Sequence, residues 1–366
     1  MVSVILPTYN EAENMQLIIP RLHGALHDNG LKGEIIVVDD DSPDGTAKAA
    51  LRFAGRFPVK VHVRKKGRGL SKSVIKGFQL AEGGICVVMD ADLSHPAEKV
   101  PAMVKPILED RCDAVVGSRY IPGGGFESLP LPRKIISKLA GILAKGVTTL
   151  SDPTSGFMAI RKDMINSEKL DSLGWKIVLE VVVKSNLRIQ EIPIIFANRK
   201  LGRSKLGFKT QIEYIRHLWR LYDYKYPGIL QFIKFCMVGM SGLLIDTAVL
   251  VGLVEIRSFD PRLAAIFAFL AAVTWNYVFD RIWTFDMGIR TKISYSYISF
   301  VIICIIGLGI RISMMHLGIA YAGMGESPWY VLASFLGIVA ATIFNFFGSK
   351  YIAFSRFFEK IRKSSC

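Results

Sequence analysis

Four long apolar runs, residues 235–254, 263–279, 298–322 and 329–347, all lie beyond Gly228, the third with one interruption. Crossing a bilayer takes about 20 apolar residues, within a range of roughly 17 to 25, so each run is long enough to span one. Charged residues crowd the first 226 positions instead, which explains a mean hydropathy of +0.34 that a soluble chain of 366 residues would rarely show. A water-facing half and a membrane half are therefore expected. The net charge of +15 asks for an anionic partner: nucleic acid, acidic lipid or a phosphorylated substrate. The spans favour the last two, and no nucleic-acid-reading motif is present, so no nucleic-acid partner is expected.

Flanking cations set the orientation of the spans. Lys225 and Lys234 precede the first, Arg281, Arg290 and Lys292 separate the second from the third, and Arg356, Lys360, Arg362 and Lys363 follow the fourth. The turn GMGESP after the third has none, whereas the loop after the first carries Arg257 and Arg262. Both termini and the middle loop are thus expected in the cytoplasm, on an integral protein of the cell membrane. Asp246 and Arg311 sit deepest in their spans. Each costs about 2.5–3.5 kcal/mol on insertion scales, so they are expected to face the bundle interior and pair. NYVFDRIWTF and NFFGSKYIAF each end the second helix of a pair, which suggests a duplicated hairpin. Upstream, residues 206–226 place Ile212, Ile215, Trp219 and Tyr222 on one helical face among Lys209, Arg216, Arg220 and Lys225. This reads either as an interfacial helix or as an amphipathic helix packed on the first domain.

The five cysteines are scattered, without a CxxC pair, which fits a reducing compartment. Residues 1–7 read as a strand rather than a secretory signal. Strands at 2–7, 34–39, 59–63, 85–89 and 113–117 alternate with helical stripes, predicting an α/β fold with a parallel, doubly wound sheet. Asn10 with Glu13 reads as a capping box for the first helix, and Asp44 and Thr46 fall in the first turn of the second. Ligands of such sheets bind beyond the carboxyl ends of the strands, where Pro7–Glu11, Asp39–Asp41 and Asp90–Asp92 all fall. Neither GxGxxG nor a P-loop follows any strand. A nucleotide diphosphate would then need a metal, and Asp90 and Asp92 are hard oxygen ligands suited to Mg2+ or Mn2+. Alternatively the pair ends a strand in a polar turn, with Asp92 capping the next helix.

PTYNEAEN, IIVVDDDSPDGT, VVMDADLSHP, VGSRY, DPTSGF and RSKLG occur in this order over roughly residues 1–226. The series resembles family-2 glycosyltransferases of the GT-A fold, most of all the dolichol-phosphate mannose synthases. The resemblance implies that Pro7, Tyr9, Glu11, Val38 and Asp40 hold the guanosine of GDP-mannose, and that Asp90, Ala91 and Asp92 meet ribose, metal and diphosphate. It assigns Arg119, Arg133 and Ser137 to the acceptor phosphate and donor, with Asp92, Arg119 and Arg133 as the catalytic group. Lys176, Arg199 and Lys205 would close over donor and acceptor. Many relatives carry Gln as an extra metal ligand where this chain has Ser94, so Ser94 is the third candidate ligand. His95 is read as supporting the site, and the other five histidines as structural. Beyond residue 228 the chain resembles GtrA-like four-helix domains.

The expected organisation is a glycosyltransferase domain over 1–205, interfacial helices over 206–228 and a membrane domain over 229–366. The expected activity is metal-dependent, inverting transfer of mannose from GDP-mannose to dolichyl or another polyprenyl phosphate, at the cytoplasmic face of the bilayer. Two alternatives stay open: a UDP-glucose-dependent polyprenyl-phosphate glucosyltransferase, and a non-catalytic lipid-linked sugar flippase or scaffold. Taken singly, the residues also have plainer readings. Tyr9 could pack on the first helix, Asp39–Asp41 could be turn formers, Arg119 could pair with a surface carboxylate, and Arg133 could lie on the basic face of a helix.

Overall fold

A computed structural model describes residues 1–128, 130–166, 170, 176–197, 208–286, 293–323 and 329–355, with side chains at all of these except 131–133, 208 and 209. The chain folds as two compact units, Met1–Lys225 and Tyr226–Cys366.

In the first unit, strands β1 (Val2–Thr8), β2 (Gly33–Asp39), β3 (Val59–Val63) and β4 (Ile85–Val88) run parallel. With β5 (Ala114–Ser118), β7 (Met158–Arg161) and β8 (Ile189–Pro193) they make one seven-stranded sheet in the order β3-β2-β1-β4-β7-β5-β8. β7 alone is antiparallel to its neighbours β4 and β5. A separate pair joins β6 (Gly125–Phe126) to β9 (Ile195–Phe196). The central strands β1, β2 and β4 are mostly apolar because both faces of the sheet are covered there, whereas the outer strands β3 (VKVHV) and β8 (IQEIP) carry polar and charged residues. Val4, Leu6, Ile35, Val37 and Val87 enter one core, while the alternating Ile5, Ile36, Val38, Cys86 and Val88 enter the other. Helices α1 (Ala12–Asp28), α2 (Thr46–Leu51) and α4 (Val100–Leu108) cover the first face. Helices α3 (Leu70–Leu80) and α6 (Ile177–Lys184) cover the second. Strand order reverses between β1 and β4, which opens a crevice beyond their carboxyl ends.

The first helix is not capped by Asn10 and Glu13. Its N-cap residue is Glu11, without a side-chain cap. The caps come from the next turn of the sheet: Asp44 accepts from Ala12 N at 3.0 Å, Thr46 Oγ1 from Glu11 N at 2.9 Å and Ser42 Oγ from Asn10 N at 2.9 Å. Asp44 itself precedes α2, which starts at Thr46 after a left-handed Gly45 at φ +82°. Helices α5 (Leu131–Ala144) and α7 (Phe208–Lys225) lie side by side, with Tyr214 Oη donating to Ala140 O and Tyr222 Oη to Leu143 O, each at 2.8 Å.

The second unit holds α8 (Pro227–Val251), α9 (Pro261–Phe279), α10 (Ile293–Ala322) and α11 (Trp329–Gly348). Three of them continue into π-helical turns, giving four segments, Pro227–Ile256, Pro261–Thr284, Ile293–Ala322 and Trp329–Ala353, long and apolar enough to cross a membrane. α8 packs along α9 and α10 along α11. The two hairpins repeat each other in detail. Gly242 is pressed against Asn276 and Gly307 against Asn345, and both α9 and α11 end in a π-helical turn, Asp280–Thr284 and Ser349–Ala353. Phe235 packs on Phe285 as Phe300 packs on Phe354, and Phe285 meets Phe354 with ring centroids 4.8 Å apart. The second hairpin thus repeats the contacts of the first.

Asp246 and Arg311 do not behave as expected. Arg311 is exposed on the outer surface, Asp246 is half-buried, and no ion pair joins them among the described residues. Depth in a span says nothing about which face of the helix a residue occupies. The buried acid is Asp280, which accepts from Thr284 Oγ1 at 2.7 Å.

Candidate active site

Three loops meet at the crevice. After β1, Pro7 and Val38 are register partners and both buried, while Tyr9 and Glu11 stand half-buried beyond them. After β2, Asp39 binds Thr8 Oγ1 at 2.9 Å and Ser42 N at 2.9 Å, which makes it the turn former. Asp40 is also buried and fully engaged. Its Oδ1 takes Arg64 Nη1 at 2.7 Å and Ser73 Oγ at 2.8 Å, and its Oδ2 takes Gly69 N at 2.7 Å.

After β4 the strand stops at Val88, so alternation no longer sets the direction of the aspartates. Asp90 keeps 32% of its side chain exposed, whereas Ala91 and Asp92 are buried. Asp92 Oδ1 accepts from both the amide and the hydroxyl of Ser94, closing a turn at Leu93, whose φ is +65°. Asp92 thus caps this turn and not the following helix, and Ser94 turns its hydroxyl onto Asp92. His95 Nδ1 accepts from Asp90 N at 3.0 Å, which puts the proton of a neutral ring on Nε2. Burial holds the His95 imidazole below its ordinary range, against the pull of Asp90 and Asp92. Gly156 leaves room beside this group: a Cβ there would sit 3.5 Å from Asp90 Oδ2 and 3.4 Å from His95 Cε1.

A cationic pole faces the acidic one. Because β7 is antiparallel, the loop that leads into it, residues 152–157, reaches the same edge as the ends of β4 and β5. Asp152, fully buried, grips Arg119 as a fork, taking Nε at 2.6 Å and Nη2 at 2.7 Å. Arg119 Nη2 also donates to Thr154 Oγ1 at 2.6 Å, and its Cζ lies 5.2 Å from the ring centres of Phe126 and Phe196. Its carboxylate partner is therefore in the core, not on the surface. Desolvation works to raise the Asp152 carboxyl, but Arg119 wins and holds it below the usual range. Lys176, just before α6, donates Nζ to Thr154 O. Burial, reinforced by the like charge of Arg119, pushes the Lys176 ammonium down to about 8, against Asp152 and Asp90. Ser137 on α5 accepts from Tyr120 Oη at 2.9 Å and lies 3.4 Å from Thr154 Oγ1. The side chain of Arg133, one turn earlier on α5, and the residues Arg199 and Lys205 lie outside the described residues.

Among the described residues, no group of three or more His, Cys, Asp or Glu side chains could hold a metal ion. The chain offers two carboxylates, one half-open with space kept beside it by Gly156. That donor set fits Mg2+ or Mn2+, which retain waters and take one or two carboxylates plus substrate phosphates. Of the residues read from the sequence as site candidates, the fold brings Asp90, Asp92, Arg119, Ser137 and Lys176 to one edge. Sequence reasoning missed Asp152 and Thr154 as individual residues, although the DPTSGF segment that carries them was visible.

Comparison with known proteins bears on the whole chain. The model of glycosyl transferase family 2 matches residues 3–167, and that of the GtrA/DPMS transmembrane domain matches 234–355. A dolichol-phosphate mannosyltransferase from Pyrococcus furiosus is 38% identical over 357 residues, covering 96% of this chain and 97% of the relative. The chain belongs to the dolichol-phosphate mannosyltransferases of glycosyltransferase family 2. This family also includes a Saccharomyces cerevisiae protein, 38% identical over 248 residues, 64% of this chain and 92% of that one. A solved mannosyltransferase from Pyrobaculum calidifontis in complex with GDP-Man and Mn2+ is 16% identical, covers 95% of this chain and 88% of its own, and has a TM-score of 0.43. As a member of the family the chain is a glycosyltransferase, and with its four spans it is an integral membrane protein.

Proposed function

We propose that this protein transfers mannose from GDP-mannose to the phosphate of dolichol or a related polyprenol, at the cytoplasmic face of the cell membrane. The observation that carries the reading is α5. One side of this helix puts Ser137 within reach of Thr154 and the Arg119 cluster. Its other side exposes Ile135, Ile136, Leu139, Ile142 and Leu143. Beside it α7 exposes Ile212, Ile215 and Trp219, and an apolar furrow of about 210 Å³ runs between the two helices. A phosphate at the cationic pole would leave a hydrocarbon chain against that furrow. The activity for which the family is named and the basic flanks of the spans support the same acceptor and orientation. The division into 1–205, 206–228 and 229–366 follows the same logic, with the middle segment as the membrane-surface platform.

Asp90 and Asp92 would hold a Mg2+ or Mn2+ ion, which supplies charge neutralisation at the leaving diphosphate. Ser94 fixes the rotamer of Asp92 through its hydroxyl. Pro7, Tyr9, Glu11, Val38 and Asp40 form the wall for the nucleoside. Asp152 aims Arg119 at the anionic groups, and Lys176 adds a second buried cation whose charge a bound phosphate would stabilise. Arg133 precedes Ser137 by one helical turn and shares its face, so it belongs to the acceptor phosphate. Arg199 and Lys205 are assigned by the resemblance to the donor and acceptor. No general base is required, because a phosphate monoester with a second pKa of about 6 is already an anion near neutral pH. Attack by that anion opposite the diphosphate converts an α-linked donor to the β product.

The test is a radiolabelled lipid-transfer assay with the full chain, dolichyl phosphate and either GDP-mannose or UDP-glucose. Transfer from GDP-mannose alone, lost with EDTA and restored by Mg2+ or Mn2+, is expected. Asp92→Ala should reduce it by about a hundred- to a thousandfold, as expected for loss of a charge-stabilising group. Transfer from UDP-glucose instead, or undiminished turnover in Asp92→Ala, would overturn the assignment.

A further inference from the structure

Between β3 and α3 the chain reads RKKGRGLSK, and its Arg68 has no part in the site assigned above. The loop around it is built with care. Arg64, only 10% exposed, donates to the carbonyls of both Gly67 and Gly69 while its Nη1 binds Asp40. Gly69 N returns to Asp40 Oδ2 at 2.7 Å. Gly67 and Gly69 take φ of +70° and +145°, which ordinary side chains rarely adopt. Asp40 and Arg64 thus pin the backbone on both sides of Arg68. The side chain itself remains 54% exposed. It lies with Cζ 5.3 Å from the Tyr9 ring centre and donates Nη2 to Asp41 O at 3.3 Å.

Resting on the nucleotide-donor reading, we infer that Arg68 is a specificity-determining residue that reads the O6/N7 edge of a guanine stacked on Tyr9. Tyr9 stands at the end of β1, beside the Asp40 loop, in the wall assigned to the nucleoside. A guanidinium already resting on that ring occupies the place a base would take, and a contact of this exposed kind yields easily. The pinned loop keeps the displaced fork next to the base edge. Guanine presents O6 and N7 as adjacent acceptors, which an arginine binds with two parallel N–H donors. Uracil has no such pair. The fork therefore favours GDP over UDP, whereas a cation acting only on the diphosphate would favour both equally.

The experiment is calorimetric binding of GDP and of UDP, with Mn2+, to the purified full chain and to Arg68→Ala and Arg68→Lys. The expected result is a loss of GDP affinity on the order of tenfold in both variants, with UDP unchanged. Lysine should fail to rescue because it keeps the charge and lacks the fork. Equal losses for GDP and UDP, full rescue by lysine, or no loss would each overturn the role of Arg68. If wild-type protein prefers UDP to GDP, the donor reading fails as well. A wild-type preference for GDP that survives in Arg68→Ala removes Arg68 alone.

Discussion

The two units bury polar groups in different ways. In the α/β unit, charges that leave water meet an opposite charge, as Arg119 meets Asp152 and Arg64 meets Asp40. In the membrane unit the neutral amides of Asn276 and Asn345, each within its own hairpin, press against glycine backbone. Neither amide Oδ1, both buried, has a hydrogen-bond partner among the described residues. The difference follows from the solvent. A water-facing domain can expose what it cannot pair, so the charges it does bury are held for a purpose. A bundle in hydrocarbon gains little by hiding apolar side chains, and close backbone approach takes over as the source of cohesion. Its outer surface accordingly exposes Leu243, Leu244, Ile256 and many similar residues.

Across this comparison, the largest effect should come from cutting the Arg119–Asp152 pair in the first unit. Asp152→Asn leaves the Arg119 guanidinium, 11% exposed, without its counter-charge. Breaking a buried pair from one side costs about 3–5 kcal/mol. The loosened fork should also lower transfer by about a hundredfold, the scale of an ångström-sized misplacement at a reacting centre. Thermal unfolding and turnover of the purified variant measure both. A variant as stable and as active as wild type would mean that Asp152 is incidental, and the contrast between the units would lose its main support.

That pair also marks the limit of what the sequence could reveal. The strands β1, β2 and β4 were legible because both-face burial leaves unbroken apolar runs, and the acidic turns after them pointed to the crevice. Asp152 was not, because its loop has no periodicity and its value depends on β7 entering the sheet antiparallel, a four-residue strand. Capping of α1 by Asp44 was hidden for the same reason: its partner lies 32 residues away. In the membrane unit the spans and the duplicated hairpin were plain from composition and repetition. The facing of Asp246, Arg311 and Asp280 was not, since one helix alone does not show which side its partner covers.

A smaller effect concerns Lys176 and sharpens what the buried charges are for. With its ammonium at about 8 rather than 10.5, the folded protein holds fewer protons here than the unfolded chain between those pH values. Stability from this group therefore rises with pH across that window, and Lys176→Met should flatten the rise. Catalysis should run the other way. The charge that faces phosphate is lost above about pH 8, so kcat/KM should fall there by about tenfold per pH unit. A bound diphosphate stabilises the ammonium, which moves the fall in kcat to higher pH. Identical alkaline limbs for kcat and kcat/KM would detach Lys176 from the anionic substrates.

The smallest effect is expected in the membrane unit, where the two hairpins provide their own control. A Cβ on Gly242 would lie 2.1 Å from Asn276 Oδ1, and one on Gly307 would lie 2.2 Å from Asn345 Oδ1. Gly242→Ala and Gly307→Ala should therefore each overpack one hairpin at a cost of about 1–3 kcal/mol. Because the repeat places the same clash in each, the two losses should be alike in thermal unfolding of the detergent-purified chain. Turnover with a saturating donor should be unchanged, since the crevice is built entirely from residues of the first unit. Unequal losses would show that the hairpins share a shape but not a load. A fall in turnover matching that of Asp152→Asn would show that the membrane unit reaches into the chemistry, and that cohesion by close backbone approach has a catalytic use.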